Sequence, residues 1–368
     1  MRPDVTIFLK RLCQGGVTRV GCILANGFAE RGVATEVATA LPDGPVRASM
    51  SDRVMWTPLR PDRRGSGSGP VATVLALARH LRRARPRVLL SPGNHTHVTA
   101  AIAHALAGGG SHLVVKITNP IIKTGHRRWR RFYKKALYGW ILSRASSVLV
   151  LSPGRVGELA GLFPRAAAKL RFVHNPYITA AMVAAPERCA VERQGAPMIL
   201  SVGRLAEQKN HVLLLRALAR IADTPWRLVV LGEGPLEAEL RDLSRRLGIA
   251  ERVEFMGYVP DPTGWFLSAR VLALSSEWED LPAVALEALA CGCPVVTTDC
   301  SPALTAILEE VGCGAVVPVG NEAALAGALG GALRRPAIGR VAPAVLRYTV
   351  ENGVDDHLDA IRPLLARV

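Results

Sequence analysis

The sequence predicts two doubly wound α/β domains. Three observations support this fold class: a length of 368 residues, an apolar fraction of 49% with only 5% aromatic residues, and a repeated alternation of short apolar strands with amphipathic helices. At roughly 150 residues per domain, this length favours two domains. Strands that alternate with helices are typical of a parallel sheet covered by helices on both faces.

The alternation begins at the N-terminus. Residues 4–9 predict a strand, the glycines at 15 and 16 a turn, and residues 17–31 a helix that leads to a second strand at 35–40. This order is a βαβ unit. Similar units continue to about residue 151, so we assign 1–176 to a first domain.

The alternation stops in a stretch containing prolines and then restarts. We assign 177–197 to a crossing between the domains and 198–345 to a second domain. A last helix at about 346–366 is expected to pack back on the first domain. Ligands of such sheets bind beyond the carboxyl ends of the strands, so we expect both domains to present those ends to one central cleft.

The charge is large and uneven. The net charge is +16, with +21 in residues 1–184 and −5 in residues 185–368. Such asymmetry indicates that the two halves meet different partners. The first half is expected to face something anionic: a membrane, a nucleic acid or a phosphorylated substrate.

The cysteines and the hydropathy exclude several classes of protein. Seven scattered cysteines without paired CxxC units argue against a zinc site and fit reduced thiols in a cytosol. No run of 18 apolar residues is present, so we expect no membrane span. The first residues predict a strand rather than a signal peptide.

The segment 201–210 places two cations in one loop. A strand ends at Gly203, and Arg204 and Lys209 follow before the next helix. An arginine can bind a phosphate with two hydrogen bonds while a lysine adds a point charge, so the pair suits a pyrophosphate. Two solvated loop cations are the alternative interpretation.

The segment 276–294 places two glutamates around a helix start. Glu279 lies in the loop before the helix, Pro282 lies where the helix starts, Glu287 lies on it and Gly292 lies where it stops. Free backbone N–H groups at 281–284 would face an anion or a polar ligand.

Together these segments resemble the family-four retaining glycosyltransferases of the GT-B fold. The resemblance covers most of the chain and is strongest over 198–320, where Glu279 and Glu287 match the family's glutamate-x7-glutamate element. The N-terminal segment Gln14-Gly15-Gly16-Val17 is similar to the family's glycine loop. The stretch from Arg347 is similar to its last helix.

The resemblance implies roles for these residues. Arg204 and Lys209 would hold the donor diphosphate, Glu279 would bind hydroxyls of the sugar, and Glu287 would accept hydrogen bonds from the ribose. The remaining donor-binding positions would be Gly16, Gly257, Val259, Leu281, Pro282, Ala283 and Val284.

The resemblance also implies that the protein transfers a hexosyl group from a nucleotide-diphosphate sugar with retention of the anomeric configuration. The leaving phosphate oxygen would help to deprotonate the acceptor. Because Arg204, Lys209 and helix amides oppose the charge of the departing diphosphate, we expect no metal and no other cofactor.

Two departures concern specificity and the acceptor. Family members often have Gly-Phe after the first glutamate, whereas this chain has Asp280-Leu281, which puts the choice of sugar in question. Relatives often have an acceptor-side histidine where this chain has Thr118, next to Asn119. His95 and His97 are spare candidates, and loop or helix-cap roles are the favoured alternative for both.

Residues 126–144 predict a basic amphipathic helix with seven Lys and Arg and no acidic residue. We expect its aromatic stripe to be mostly core and its cations to face an anionic membrane, which suits a lipid-linked acceptor. These cations are Arg127, Arg128, Arg130, Arg131, Lys134 and Lys135.

The sequence thus predicts a cytoplasmic glycosyltransferase, peripheral at the inner face of the cell membrane, that acts on a glycan or glycolipid acceptor and binds no nucleic acid. A nucleotide-sugar epimerase on the same fold is one alternative, and product analysis with donor alone separates it. A non-enzymatic protein that binds anionic polymers is another, and a salt-dependent gel shift with random DNA tests it.

Overall fold

The computed structural model describes residues 2–12, 15–41, 44–59, 69–122, 127–184, 195–334 and 343–366. The expectations for Gln14, for His126, for most of the loop at 61–70 and for 185–194 of the crossing lie outside these residues. Two compact units are present: Met1–Pro176 with Val350–Val368, and Tyr177–Thr349. In the described part of the chain, no helix combines the length and the apolar character that crossing a bilayer requires.

The first unit contains a parallel sheet of seven strands in the order β3-β2-β1-β4-β5-β6-β7. The strands are β1 Val5–Leu9, β2 Thr35–Thr39, β3 Met55–Pro58, β4 Val88–Ser91, β5 His112–Ile117, β6 Ser147–Val150 and β7 Leu170–Phe172. The helices between them are α1 Gly16–Glu30, α2 Pro70–Ala84, α3 His97–Leu106, α4 Arg128–Arg144 and α5 Pro153–Leu162. Short 3₁₀ helices occupy Pro45–Ser49 and Pro164–Lys169.

The second unit contains a parallel sheet of six strands in the order β10-β9-β8-β11-β12-β13. The strands are β8 Met198–Val202, β9 Arg227–Leu231, β10 Val253–Gly257, β11 Val271–Leu274, β12 Val295–Thr298 and β13 Gly314–Val317. The helices are α6 Ala180–Val183, α7 His211–Ala219, α8 Glu237–Arg246, α9 Thr263–Ser268, α10 Ala283–Ala290, α11 Pro302–Val311, α12 Glu322–Arg334 and α13 Pro343–Leu346. Short 3₁₀ helices occupy Glu207–Lys209 and Ala250–Arg252.

The last helix, α14 (Val350–Leu365), belongs to the first unit and packs on α1. A Cβ atom on Gly27 of α1 would lie 2.6 Å from Val354 Cγ1, so only glycine permits this approach. Arg31 Nε donates to Asp355 Oδ1 at 2.5 Å beside this contact. The chain therefore returns to its first unit through close apolar packing and one ion pair.

The central strands carry the core of each unit. Every residue of β1 and β4 is buried, and so is every residue of β11 and β12. Strands buried on both faces read as continuous apolar runs, which is why the sequence predicts them well. Both units are doubly wound α/β, and the predicted fold class is confirmed.

Two edge strands are absent from the sequence prediction. β3 is only half-buried and ends at Pro58, which lies in a position open to proline because the strand is at the sheet edge. β7 has three residues, Leu170–Phe172, and lies at the opposite edge. Both are too short and too weakly apolar for their pattern to predict a strand.

Candidate active site

In the second unit, the loop after β8 carries the predicted cations. Arg204 is exposed, and Lys209 ends the 3₁₀ turn Glu207–Lys209. The next residue, Asn210, has left-handed backbone geometry with φ of 43°, a conformation that asparagine tolerates better than most residues. Its side chain accepts a hydrogen bond from Leu213 N at 3.1 Å and so caps α7. Asn210 thus ends the loop and starts the helix.

The loop after β9 lies directly against this first loop. Gly203 N donates to Leu231 O at 2.9 Å, and Leu205 N donates to Glu233 O at 3.0 Å. A Cβ atom on Gly232 would lie 2.0 Å from Gly203 O, closer than any side chain permits. Glycine at position 232 therefore allows the backbones of the two loops to come close together.

The loop after β10 continues the same edge of the sheet. Gly232 N donates to Gly257 O at 2.7 Å, and Tyr258 N donates to Glu233 Oε1 at 3.4 Å. Gly257 has φ of +70°, a region that favours glycine. Gly257 and the half-buried Val259 therefore lie at the same carboxyl edge as Arg204.

Several hydrogen bonds tie the loop after β11 to the loop after β8. Glu277 N donates to Gln208 O at 2.8 Å, and Gln208 Nε2 donates to Trp278 O at 2.9 Å. Asn210 Nδ2 donates to Glu277 Oε1. These contacts join segments almost 70 residues apart in sequence and hold the two loops in one register.

That register brings Lys209 and Glu279 together. Lys209 Nζ lies 2.7 Å from Glu279 Oε1, with the side chains 20% and 11% exposed. Ser276 Oγ donates to the same carboxylate oxygen at 3.1 Å, and Glu279 N donates to Cys300 O at 2.8 Å. Because the pair is partly shielded from water, its attraction exceeds that of a fully solvated ion pair.

The predicted helix start is present as α10, with Pro282 as its N-cap residue. No side chain caps this terminus, and Ala283 and Val284 in the first turn are half-buried. Leu281 and Pro282 themselves are buried. Uncapped N–H groups and the positive end of a helix dipole attract anions, so this terminus can contribute to an anion site.

Glu287 lies on the second turn of α10 and is only 1% exposed. The helix therefore holds this carboxylate inside the unit rather than on an open loop. Its predicted contact with a ribose stays a prediction.

His211, the first residue of α7, is a buried titratable group that sequence reasoning missed. It is 5% exposed, and burial, with a smaller effect from the charge of Lys209, lowers its pKa to about 4. The imidazole is therefore neutral at neutral pH and adds no charge beside Lys209. Its place directly after Lys209-Asn210 is the signal that could have drawn attention to it.

In the first unit, the loops after β1, β4 and β5 adjoin at one edge of the sheet. Gly16 is the exposed first residue of α1, and a Cβ atom on Gly93, after β4, would lie 2.7 Å from Val17 Cγ1. Asn94 accepts from Thr118 N at 2.8 Å and donates to Asn119 O at 2.9 Å. Asn94, which the sequence analysis did not single out, therefore joins the loops that carry the acceptor-side candidates.

The two histidines that follow β4, His95 in the loop and His97 at the start of α3, differ in accessibility. His95 is exposed beside the predicted acceptor residues; partial burial, with Lys10 adding a smaller effect, lowers its pKa. His97 is fully buried, and its Nε2 lies 3.0 Å from Lys116 O, which can only accept. Burial lowers the pKa of His97 to about 3. His97 is therefore a core residue and not a candidate for acceptor chemistry.

The helix α4 departs from the expectation for its aromatic residues. Trp129, Phe132 and Tyr133 are 61%, 77% and 60% exposed, so the prediction that the stripe is mostly core is wrong for these three. The buried residues of α4 are in its second half, at Tyr138, Ile141 and Leu142. Of the six predicted membrane-facing cations, Lys134 is half-buried and the others are exposed. The exposed five are Arg127, Arg128, Arg130, Arg131 and Lys135.

No group of three or more histidine, cysteine, aspartate or glutamate side chains within the described ranges could hold a metal ion. Arg204, Lys209 and Glu279 are among the charged groups at the carboxyl edge of the second sheet, beside the uncapped start of α10. Such an arrangement can bind a diphosphate and a polyhydroxylated group next to each other.

Comparisons with known proteins identify the family of this chain. The profile of the glycosyl transferases group 1 matches residues 188–340, and that of the glycosyl transferase 4-like domain matches residues 15–176. The chain therefore belongs to the group 1 glycosyltransferases and has the GT-B fold.

Two curated relatives match parts of the chain. The chain is 31% identical over 224 residues to the N-acetylgalactosamine-N,N'-diacetylbacillosaminyl-diphospho-undecaprenol 4-alpha-N-acetylgalactosaminyltransferase of Campylobacter jejuni, covering 60% of each chain. It is 33% identical over 130 residues to the lipopolysaccharide core biosynthesis glycosyltransferase LpsE of Rhizobium meliloti, covering 35% of this chain and 38% of the relative. The matched region thus spans less than two thirds of either relative.

Solved structures match the whole chain in fold. Alr3699/HepE of Anabaena, in complex with UDP and glucose, superposes with a TM-score of 0.79 at 18% identity and covers 98% of this chain and 99% of its own. The lipopolysaccharide outer core galactosyltransferase WaaB gives a TM-score of 0.71 at 19% identity, with 98% and 99% coverage.

Proposed function

We propose that this protein transfers a hexose, with retention of anomeric configuration, from a nucleoside-diphosphate sugar to a membrane-held glycan acceptor in polysaccharide or glycolipid assembly. The observation that carries this proposal is the 2.7 Å pair of Lys209 and Glu279 at the carboxyl edge of the second sheet. A cation for a diphosphate and a carboxylate for sugar hydroxyls are there held side by side.

The leaving group is stabilised by fixed positive charge. As the bond between the anomeric carbon and the diphosphate oxygen breaks, negative charge grows on the diphosphate. Lys209 and Arg204 oppose that charge, and so do the first N–H groups of α10. The protein supplies these charges itself, so we propose that the step needs no metal or other cofactor.

Glu279 orients the sugar. Its carboxylate accepts from Ser276 and faces Lys209, so the side chain is already fixed before a donor binds. Hydrogen bonds from sugar hydroxyls to this carboxylate would hold the anomeric carbon near the diphosphate cations. Fixed catalytic groups of this kind lower the entropy cost of reaching the reacting geometry.

The acceptor hydroxyl attacks on the face from which the diphosphate leaves. A bond forms between the anomeric carbon and the acceptor oxygen, and the acceptor proton passes to the departing phosphate oxygen. Configuration is retained, and the products are the glycosylated acceptor and a nucleoside diphosphate. His95, Thr118 and Asn119 are our candidates for binding the acceptor.

The proposed acceptor class rests on two supports. One curated relative acts on a diphospho-undecaprenol-linked sugar, and another functions in lipopolysaccharide core biosynthesis, as their names state. The exposed cations at the start of α4 are suited to an anionic membrane surface. We therefore propose that the protein works as a peripheral protein at the cytoplasmic face of the cell membrane.

The donor and the stereochemistry can be tested together. Purified protein is titrated with UDP, GDP and ADP by calorimetry. Sugars linked to the nucleoside diphosphate that binds are then supplied as donors, together with a lipid extract as the source of acceptor. Proton NMR of the product then gives its anomeric configuration, and chelator is added to a parallel reaction. Inverted configuration would contradict retention, and loss of transfer with chelator would contradict metal independence.

A further inference from the structure

The first unit exposes a set of large apolar side chains that its core does not use. Eight of its described residues are of this kind, and all of them lie on α2, α3 and α4. Seven are in the first two turns of these helices: Val71, Leu75, Val98, Ile102, Trp129, Phe132 and Tyr133. We call these seven residues the three-helix surface.

The positions repeat from helix to helix. Val71 and Leu75 are the second and sixth residues of α2, and Val98 and Ile102 hold the same positions in α3. Trp129 and Tyr133 do so in α4. Residues four apart lie on one side of a helix, so each helix presents its apolar pair in one direction.

The three pairs lie at the same end of the sheet. The sheet is parallel, so each helix starts beyond the carboxyl ends of the strands. α2 packs against α3, and α3 packs against α4. The surface therefore borders the edge that carries Gly16, His95 and Thr118.

The charge around this surface is of one sign. None of the three helices has an acidic residue in its first turn. Arg127, Arg128, Arg130, Arg131 and Lys135 are exposed around the aromatic residues of α4. Cations interleaved with exposed tryptophan, tyrosine and phenylalanine favour a partner that is apolar inside and anionic at its boundary.

We propose that the three-helix surface inserts into the interfacial region of an anionic bilayer. Its seven apolar side chains enter the membrane, while the cations of α4 contact lipid phosphates. Tryptophan and tyrosine favour this depth because each has an apolar ring and a polar group. The inference rests on the proposed membrane-held acceptor and adds the inserting residues of α2 and α3.

Insertion predicts two components of binding with different responses to salt. Attraction between α4 and lipid phosphates weakens as the Debye length shortens to about 3 Å at 1 M salt. Burial of apolar side chains persists under those conditions. Part of the binding should therefore survive high salt, whereas purely electrostatic docking would be lost.

The test compares three variants in sedimentation with vesicles of phosphatidylcholine, with and without phosphatidylglycerol. An apolar variant carries Val98→Ser, Ile102→Ser, Trp129→Ser, Phe132→Ser and Tyr133→Ser. A charge variant replaces Arg127, Arg128, Arg130, Arg131, Lys134 and Lys135 by Gln. A matched control carries Leu106→Ser and Val319→Ser, which are exposed apolar residues outside the surface.

We expect wild type and control to bind the mixed vesicles and to keep part of that binding at high salt. The apolar variant should partition at least tenfold more weakly at high salt, a loss of about 1.4 kcal/mol. The charge variant should lose the salt-sensitive part. Lipids brominated on the acyl chain should quench the tryptophan fluorescence of wild type more than that of Trp129→Phe. This variant keeps an aromatic ring at the position but lacks the indole.

Other outcomes would overturn the inference. An apolar variant that binds like wild type, or a wild type that binds neither kind of vesicle, would show that the surface does not insert. Concentration-dependent dimers of wild type that are absent in the apolar variant, without vesicle binding, would show that a second copy covers it. Nucleotide affinity is measured in wild type and in every variant. If none of these proteins bound a nucleoside diphosphate while vesicle binding was intact, the proposed function would be refuted and the membrane inference would stand.

Discussion

Lys209 Nζ and Glu279 Oε1 lie 2.7 Å apart, although their loops follow different strands of the second sheet. The contact depends on a network around it. Ser275 Oγ donates to Lys209 O at 2.9 Å, and Ser276 Oγ donates to the Glu279 carboxylate at 3.1 Å. The cation and the carboxylate are therefore fixed relative to each other before any donor arrives, and changes at either residue should affect the other's role.

Removing the cations should weaken nucleotide binding. Lys209→Ala or Arg204→Ala should each cost roughly 1.5–3 kcal/mol in affinity for a nucleoside diphosphate, the range for hydrogen bonds to charged groups. Calorimetry measures the change, with Arg216→Ala as a control because Arg216 is an exposed cation on α7 of the same unit. Unchanged affinity in both loop variants would remove the diphosphate assignment.

Neutralising the carboxylate should separate binding from transfer. Glu279→Gln removes the negative charge beside Lys209, so affinity for the free nucleoside diphosphate should stay the same or increase. Transfer should fall, since a carboxylate is a stronger acceptor for sugar hydroxyls than an amide oxygen. The decisive comparison is kcat against nucleotide affinity, and a parallel loss of both would mean that Glu279 serves the diphosphate instead.

The ribose assignment of Glu287 can be isolated chemically. Glu287→Gln keeps the shape of the side chain but weakens a charged hydrogen bond, so affinity for a ribonucleotide should fall. A 2′,3′-dideoxy nucleotide lacks the hydroxyls and should bind variant and wild type about equally. Glu239→Gln, on the exposed side of α8, is the control. An equal loss for both nucleotides would count against the contact with ribose.

Much of the donor edge could be predicted from the sequence because its signals are local. A glycine after a buried strand, cations before a helix and Pro282 at a helix start each depend on neighbouring residues only. The pairing of Lys209 with Glu279 could not be predicted in this way. It depends on hydrogen bonds between Gln208 and Trp278 and between Asn210 and Glu277, which join distant segments.

The helix α4 shows that a local pattern can predict an element without predicting which of its residues are buried. Helical spacing predicts that its aromatic residues share one side, but spacing does not reveal whether another element covers that side. In the fold, Tyr138 and Ile141 in the second half of α4 are buried, whereas Trp129 and Tyr133 in the first half are exposed. Periodicity therefore predicted the helix but not the environment of its first two turns.

A buried lysine in the first unit should control how stability depends on pH. Lys116 is 1% exposed, and its Nζ donates to Asn175 Oδ1 at 2.9 Å and lies 3.4 Å from His357 Nε2. His357 Nδ1 lies 2.6 Å from Gly353 O on α14, so Nε2 is free to accept from the lysine. His174 Nδ1, on the adjoining segment, lies 2.6 Å from Asp356 Oδ2 on α14.

Burial lowers the pKa of Lys116 from 10.5 to about 7. Between these two values, the unfolded chain holds a proton on this lysine that the folded chain has released. The free energy of unfolding should therefore rise with pH across this window, by up to about 1.4 kcal/mol per pH unit. Below the folded-state pKa both states are protonated, and the full cost of the buried charge remains.

Lys116→Met removes the titrating group, so its unfolding free energy should lose this rise with pH. The free energy of unfolding of the variant should exceed that of wild type most at low pH, where wild type carries the buried charge. The hydrogen bonds that Asn175 and His357 lose offset part of this difference. Urea unfolding at pH values from below 7 upward measures both curves, with Lys135→Met, an exposed lysine on α4, as the control. A variant with the same pH slope as wild type would show that Lys116 stays protonated in the folded chain despite its burial.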